Sequence, residues 1–147
     1  MQLKLKNIPV PEAYLLAIAL SLILQLFFPL RIFSLHWIGH LLGWPLAMPG
    51  ILLSLWAASE AGEMSIASPD ELITTGPYAY SRNPMYLGWA LIYFGYSLIL
   101  NSIWSLVFLP VAFAYIHFFG IRAEEETLRK KFAEQYDEYC NKVRRYI

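Results

Sequence analysis

Leu72-Ile73-Thr74-Thr75-Gly76-Pro77-Tyr78-Ala79-Tyr80-Ser81-Arg82-Asn83-Pro84-Met85-Tyr86 is the polar interval around which the rest of the sequence is arranged. Long apolar runs flank it on both sides. Gly76-Pro77 marks a turn and Asn83-Pro84 a helix start. Asn83 is suited to cap the free amides of a first turn, and Pro84 has the fixed φ that the first helical position favours. A helix starting there presents partial positive charge and unpaired N–H donors, and with Arg82 alongside it suits a carboxylate or a phosphate. The same residues also suit a loop that returns to the bilayer surface with its tyrosines at the interface.

Outward from this stretch the chain reads as hydrophobic spans. Before it come roughly Ala13 to Leu30, closed by Pro29 and Arg31, and roughly Trp37 to Ser59, rich in glycine and proline. After it come Pro84 to Leu100 and Ile103 to Ile121. About 18 apolar residues just cross a hydrocarbon core of ~30 Å. The two-residue link Asn101-Ser102 forces the last two spans into an antiparallel hairpin. Gly39, Gly43, Pro45, Pro49 and Gly50 are tolerated in a membrane helix that packs closely on a neighbour. No small-residue cleavage site follows the first run, which reads as a retained span.

From Arg122 the sequence becomes charged and helical, with Leu128, Phe132, Tyr136, Tyr139, Val143 and Tyr146 recurring every three or four residues. That is an amphipathic stripe for a surface helix or one folded back on the protein. The reading is therefore an all-α integral membrane protein with about four transmembrane helices and an amphipathic C-terminal helix.

The bulk numbers agree. Of 147 residues, 58% are hydrophobic and 15% charged, and the formal net charge is zero. The length is that of one domain, the composition is that of a membrane protein, and the charge balance argues against nucleic-acid binding. Cys140 is the only cysteine, so no intrachain disulfide or cysteine metal cluster is available. Four spans put Lys4, Lys6, Arg82 and the basic residues from Arg122 to Arg145 on one face, with Arg31 alone on the other. The positive-inside rule then makes both termini cytoplasmic and gathers the polar chemistry on that face.

A second constellation, Arg122-Ala123-Glu124-Glu125-Glu126, sits where the fourth span ends. A carboxylate here suits the paired hydroxyls of a ribose, and an arginine suits an anionic group. The cluster equally suits the solvated first turn of a helix. His36 and His40, four apart, suggest a metal or haem role less well than interfacial hydrogen bonding, and His117 is expected to face other helices.

The two constellations together resemble the isoprenylcysteine carboxyl methyltransferase family, which belongs with the membrane phospholipid methyltransferases. The shared pattern is Leu-x-x-x-Gly-Pro-Tyr-x-x-x-Arg-Asn-Pro-x-Tyr, a hairpin, then Arg-x-Glu-Glu-x-x-Leu-x-x-x-Phe-x-x-x-Tyr-x-x-Tyr, over about Glu63 to Arg145. The resemblance implies an S-adenosylmethionine site within a single domain, with N-terminal spans in 1–62 and a cofactor-binding core and tail in 63–147. Leu72, Ile73, Gly76 and Tyr78 would wall the cofactor pocket, Asn83, Pro84 and Tyr86 would contact it, and Glu63 and Glu124 would add polar contacts. Arg122 would grip the substrate, and Glu125 would act as base for an amine acceptor. No metal is implied.

The sequence departs from the family at Asn83 and Asp70, where histidines are common, at Ala133 in place of a glycine, and at Arg144 in place of a proline. The implied activity is methyl transfer to a hydrophobic or lipid-like acceptor from the bilayer. The alternative is a non-enzymatic four-helix scaffold whose C-terminal helix binds a partner.

Overall fold

A computed structural model describes residues 12–62 and 71–147 of the chain. The expectations placed on Lys4, Lys6, Glu63 and Asp70 lie outside these residues. Helix α1 is Glu12–Phe27, with Glu12 in the first turn where an acid suits the dipole, and it stops short of Pro29. Helix α2 is His36–Ala61, closed by Gly62 at φ 62°. A 3₁₀ turn at Gly76–Ala79 leads to α3, Pro84–Ile99, which starts on its proline as the sequence predicts. Helix α4 is Ile103–Tyr115, and a π-helical segment, Ile116–Ile121, carries it directly into α5, Arg122–Lys142. The described residues contain no β-strand.

The main packing is α2 against α3, backbone to backbone. A Cβ on Gly39 would lie 2.2 Å from the Leu98 carbonyl oxygen, and one on Gly95 would lie 2.6 Å from that of Gly43. Only glycine permits this approach, which explains the small residues along the predicted second span.

The rest of the fold departs from the usual soluble pattern on its surface and among its small buried polar residues. Ser21, Ser97, Asn101, Ser102 and Ser105 are fully buried, whereas Leu26, Phe27, Leu52, Val111 and Phe119 face outward. An interior that buries serines and an asparagine beside Tyr14, Tyr93 and Ile121, under an apolar exterior, fits lipid surroundings. Two helical runs, His36–Ala61 and Ile103–Lys142, are long and apolar enough to cross a membrane; α1 is a shorter apolar helix.

At the end remote from the opening motif, the predicted hairpin is pinned by Asn101. Its Oδ1 accepts from the Ile32 and Phe33 amides at 3.0 and 2.7 Å, and its Nδ2 donates to the Phe33 carbonyl at 2.8 Å. Ser102 Oγ donates to Gln25 Oε1 at 2.8 Å and Ser105 Oγ to Ser21 Oγ at 3.0 Å, tying α4 to α1.

The tail corrects the sequence reading. The stripe from Leu128 to Tyr146 does not lie along one helix, because Ala133 breaks α5 at φ 41°, ψ −115°. The chain reverses there, and Arg129 Nε reaches Asp137 Oδ1 at 3.0 Å. Eight residues of straight helix would separate them by ~12 Å. Of the stripe, Tyr136 and Tyr139 are buried after the reversal, folded onto the protein.

Candidate active site between the start of α3 and the first turn of α5

The opening motif is built on the end of α2. Thr75 Oγ1 donates to Glu60 Oε1 at 2.5 Å, and Gly76, at φ 57°, packs so closely that a Cβ would lie 2.8 Å from Glu60 Cδ. A side chain at Gly76 would be strained by the backbone and would displace the Glu60 carboxylate. The 3₁₀ turn that follows aims Tyr78 inward, where Tyr139 Oη donates to its backbone carbonyl at 2.6 Å. Burial pushes the Tyr139 hydroxyl up to about 12, with Arg82 pulling it back down, so it stays protonated and donates. The Tyr78 hydroxyl is raised by burial first and then by Glu124.

Across from this turn, Tyr86 Oη donates to Glu124 Oε2 at 3.1 Å. Glu124 is held above the ordinary carboxylate range by burial; the Tyr86 bond opposes that rise and Glu125 adds to it. Among the described residues Tyr86 is its hydrogen-bond partner, so the carboxylate keeps acceptor capacity for a diol or an ammonium group.

Glu125 is differently placed. Its oxygens are forked by Arg145, Nε to Oε1 at 2.9 Å and Nη2 to Oε2 at 2.5 Å, and Arg82 Nη2 lies 3.4 Å from Oε1. Arg82 also donates through Nη1 to the Cys140 sulfur. The base role foreseen for Glu125 requires a free carboxylate, and here both oxygens are engaged by guanidinium groups.

The structure therefore brings Tyr78, Tyr86 and Glu124 together, with Asn83 and Pro84 buried behind them. Asn83 does not cap α3 with its side chain; its Nδ2 donates instead to the Arg145 carbonyl at 3.1 Å. Leu72 lines an adjoining recess of about 430 Å³ with Thr74, Ala79 and Tyr139, and Ile73 and Gly76 are partly buried.

Arg122 does not join the group: it is exposed, with its guanidinium 5.0 Å over the Phe118 ring. Residues two apart on a helix point ~200° apart, so Arg122 and Glu124 cannot share a face. His36 and His40 are exposed at the start of α2, remote in sequence from these residues. Glu60, Tyr139 and Arg145 were not among the expected site residues, although Tyr139 closes the Tyr-x-x-Tyr pattern. Glu60 stood one turn from Glu63, and Arg145 only followed the stripe, so neither carried a motif of its own.

Among the described residues, an all-helical, apolar-surfaced fold with a half-buried tyrosine–carboxylate pair at one end defines the class as a helical membrane protein. The sequence model of the phospholipid methyltransferase family matches residues 38–135, and the chain belongs to that family. It is 42% identical over 74 residues to the protein-S-isoprenylcysteine O-methyltransferase of Saccharomyces cerevisiae, which covers 49% of this chain and 30% of that protein. It is also 34% identical over 73 residues to the nickel-cobalt-cadmium resistance protein NccN of Alcaligenes xylosoxydans xylosoxydans, covering 50% and 34%. The chain spans about a third of the length of these curated relatives.

Proposed function

We propose that the chain is an S-adenosylmethionine-dependent methyltransferase that modifies a hydrophobic or lipid-like acceptor at one face of a membrane. The observation that carries this reading is the Tyr86–Glu124 hydrogen bond, which joins the two family motifs into one site. The residues present suit the cofactor. Glu124 has acceptor capacity for the ribose hydroxyls or the amino end, Tyr78 and Tyr86 offer aromatic faces to a sulfonium, and Leu72, Ile73 and Gly76 are proposed to wall the cofactor pocket. Asn83 and Pro84 fix the start of α3, and Glu63 is proposed as a further polar contact.

The cofactor supplies an already activated methyl group, so the chain's own task is to orient the acceptor and exclude water. A carboxylate acceptor needs only positioning. An amine would have to lose a proton first, and Glu124 is better disposed than Glu125 to take it. Arg122, on the outer face, is placed to meet an anionic group at the membrane surface.

We further propose four membrane passages, α1 to α4, with both termini on the cytoplasmic side; the basic residues gathered there support it. Calorimetric titration of the purified protein with S-adenosylhomocysteine tests the reading. Binding is expected, and Glu124→Ala should weaken it; no binding in any detergent or lipid would favour the scaffold alternative.

A further inference from the structure

Arg145 belongs to neither motif, yet it touches both. Its backbone carbonyl accepts from Asn83 Nδ2 at 3.1 Å and from Ser81 Oγ at 3.3 Å. Its guanidinium holds Glu125 in a fork, at 2.9 and 2.5 Å. One residue earlier, the Arg144 carbonyl accepts from the Arg82 amide at 3.0 Å. One residue later, the Tyr146 hydroxyl lies 2.5 Å from His117 Nδ1.

The segment is thus bonded on one edge to the residues that start α3 and on the other to the π-helical segment and α5. Arg82 closes the ring through Glu125 at 3.4 Å. The side chains of Arg82, Glu125 and Arg145 are 14%, 17% and 31% exposed. A bidentate, charge-assisted pair at that depth is both stronger and more directional than a surface ion pair. Glu125 adjoins Glu124 in the first turn of α5, so whatever fixes the one sets the position of the other.

We infer that residues 144–146 form a strap that sets the spacing between the start of α3 and the first turn of α5. Arg145 is its positioning residue, acting through Glu125 on the Tyr86–Glu124 pair. What that pair does rests on the methyltransferase reading; the strap itself is independent of it. The strap also accounts for Asn83, whose side chain leaves its own helix end to bind this segment.

The test uses the full chain in detergent, with two readouts: affinity for S-adenosylhomocysteine, and hydrogen exchange of the Arg82 amide. Arg145→Gln should weaken binding roughly tenfold, the scale of one lost charge-assisted pair, and should speed exchange at Arg82. Arg145→Lys, which keeps the charge but not the fork, should recover part of both. Glu125→Gln and Arg145→Gln combined should cost less than the sum of the two single changes, because both remove the same forked pair; a strictly additive loss would overturn the positioning role.

If wild type binds and Arg145→Gln binds equally well, the positioning role is overturned while the methyltransferase reading stands. If wild type does not bind, that reading falls and exchange alone judges the strap; unchanged exchange at Arg82 in Arg145→Gln then overturns it. Should Arg145→Gln not yield folded protein, Arg145→Lys takes its place, with a smaller expected loss of about threefold.

Discussion

Tyr86 and Glu124 are 38 residues apart in sequence and joined by a hydrogen bond of 3.1 Å. Glu124 titrates above the ordinary 4.5 because burial disfavours its charge, and the Tyr86 bond opposes that shift. Between 4.5 and the raised folded value, the folded chain holds a proton that the unfolded chain has lost. Stability should therefore fall as pH rises through that window, with the cost absent below it and complete above it. Glu124→Gln should flatten this dependence and Tyr86→Phe should extend the window upward. Unfolding midpoints measured from pH 4 to 8 check both; a Glu124→Gln curve parallel to wild type would refute the assignment.

Ala133→Gly should stabilise the protein. Ala133 sits at φ 41°, ψ −115°, where a Cβ is strained. Such a residue carries on the order of 1–3 kcal/mol, against ~0.5–1 kcal/mol for the added freedom of glycine. A net gain of about 1 kcal/mol is expected, read as a higher midpoint in thermal unfolding. A lower midpoint would mean that the reversal costs no backbone strain.

Gly39→Ala should destabilise through the α2–α3 seam. The new Cβ would meet the Leu98 carbonyl oxygen at 2.2 Å, and a backbone atom cannot swing aside. A loss of about 1–3 kcal/mol is expected. Gly120→Ala is the control: its nearest neighbour is Ile116 Cγ2 at 3.8 Å, so alanine should be neutral or slightly favourable. Equal effects at the two sites would contradict the packing argument.

Asn101→Ala removes three hydrogen bonds to the α1–α2 connector and places alanine at φ 55°. At roughly 1 kcal/mol net per bond, a loss of about 2–4 kcal/mol is expected in chemical denaturation. Asn101→Gly should lose the bonds but not the backbone fit, and so fall between the two.

Much of this arrangement is legible in the residues. Asn101-Ser102 could only be a tight hairpin link, Pro84 could only start a helix, and the spaced glycines of the second span required a close neighbour. Pairing Tyr86 with Glu124 needed the family resemblance, since no local periodicity relates α3 to α5. The reversal at Ala133 was hidden because alanine is the strongest helix former and the apolar stripe runs through it at helical spacing. With the reversal hidden, Arg145 could not be placed near Glu125, and Glu125 looked free. The outward turn of Arg122 was within reach: it stands two helical positions from Glu124, and 100° per residue puts them on opposite sides.

The glycine seam has a mechanical consequence. Side chains between two helices can change rotamer and let the helices slide, but carbonyls against Cα atoms leave no such slack. Helices α2 and α3, with Glu60 and Tyr86, therefore move as one plate, while Glu124 rides on the α4–α5 run. The Tyr86–Glu124 bond spans the joint between these plates and works as a gauge: its length reports any displacement of one against the other.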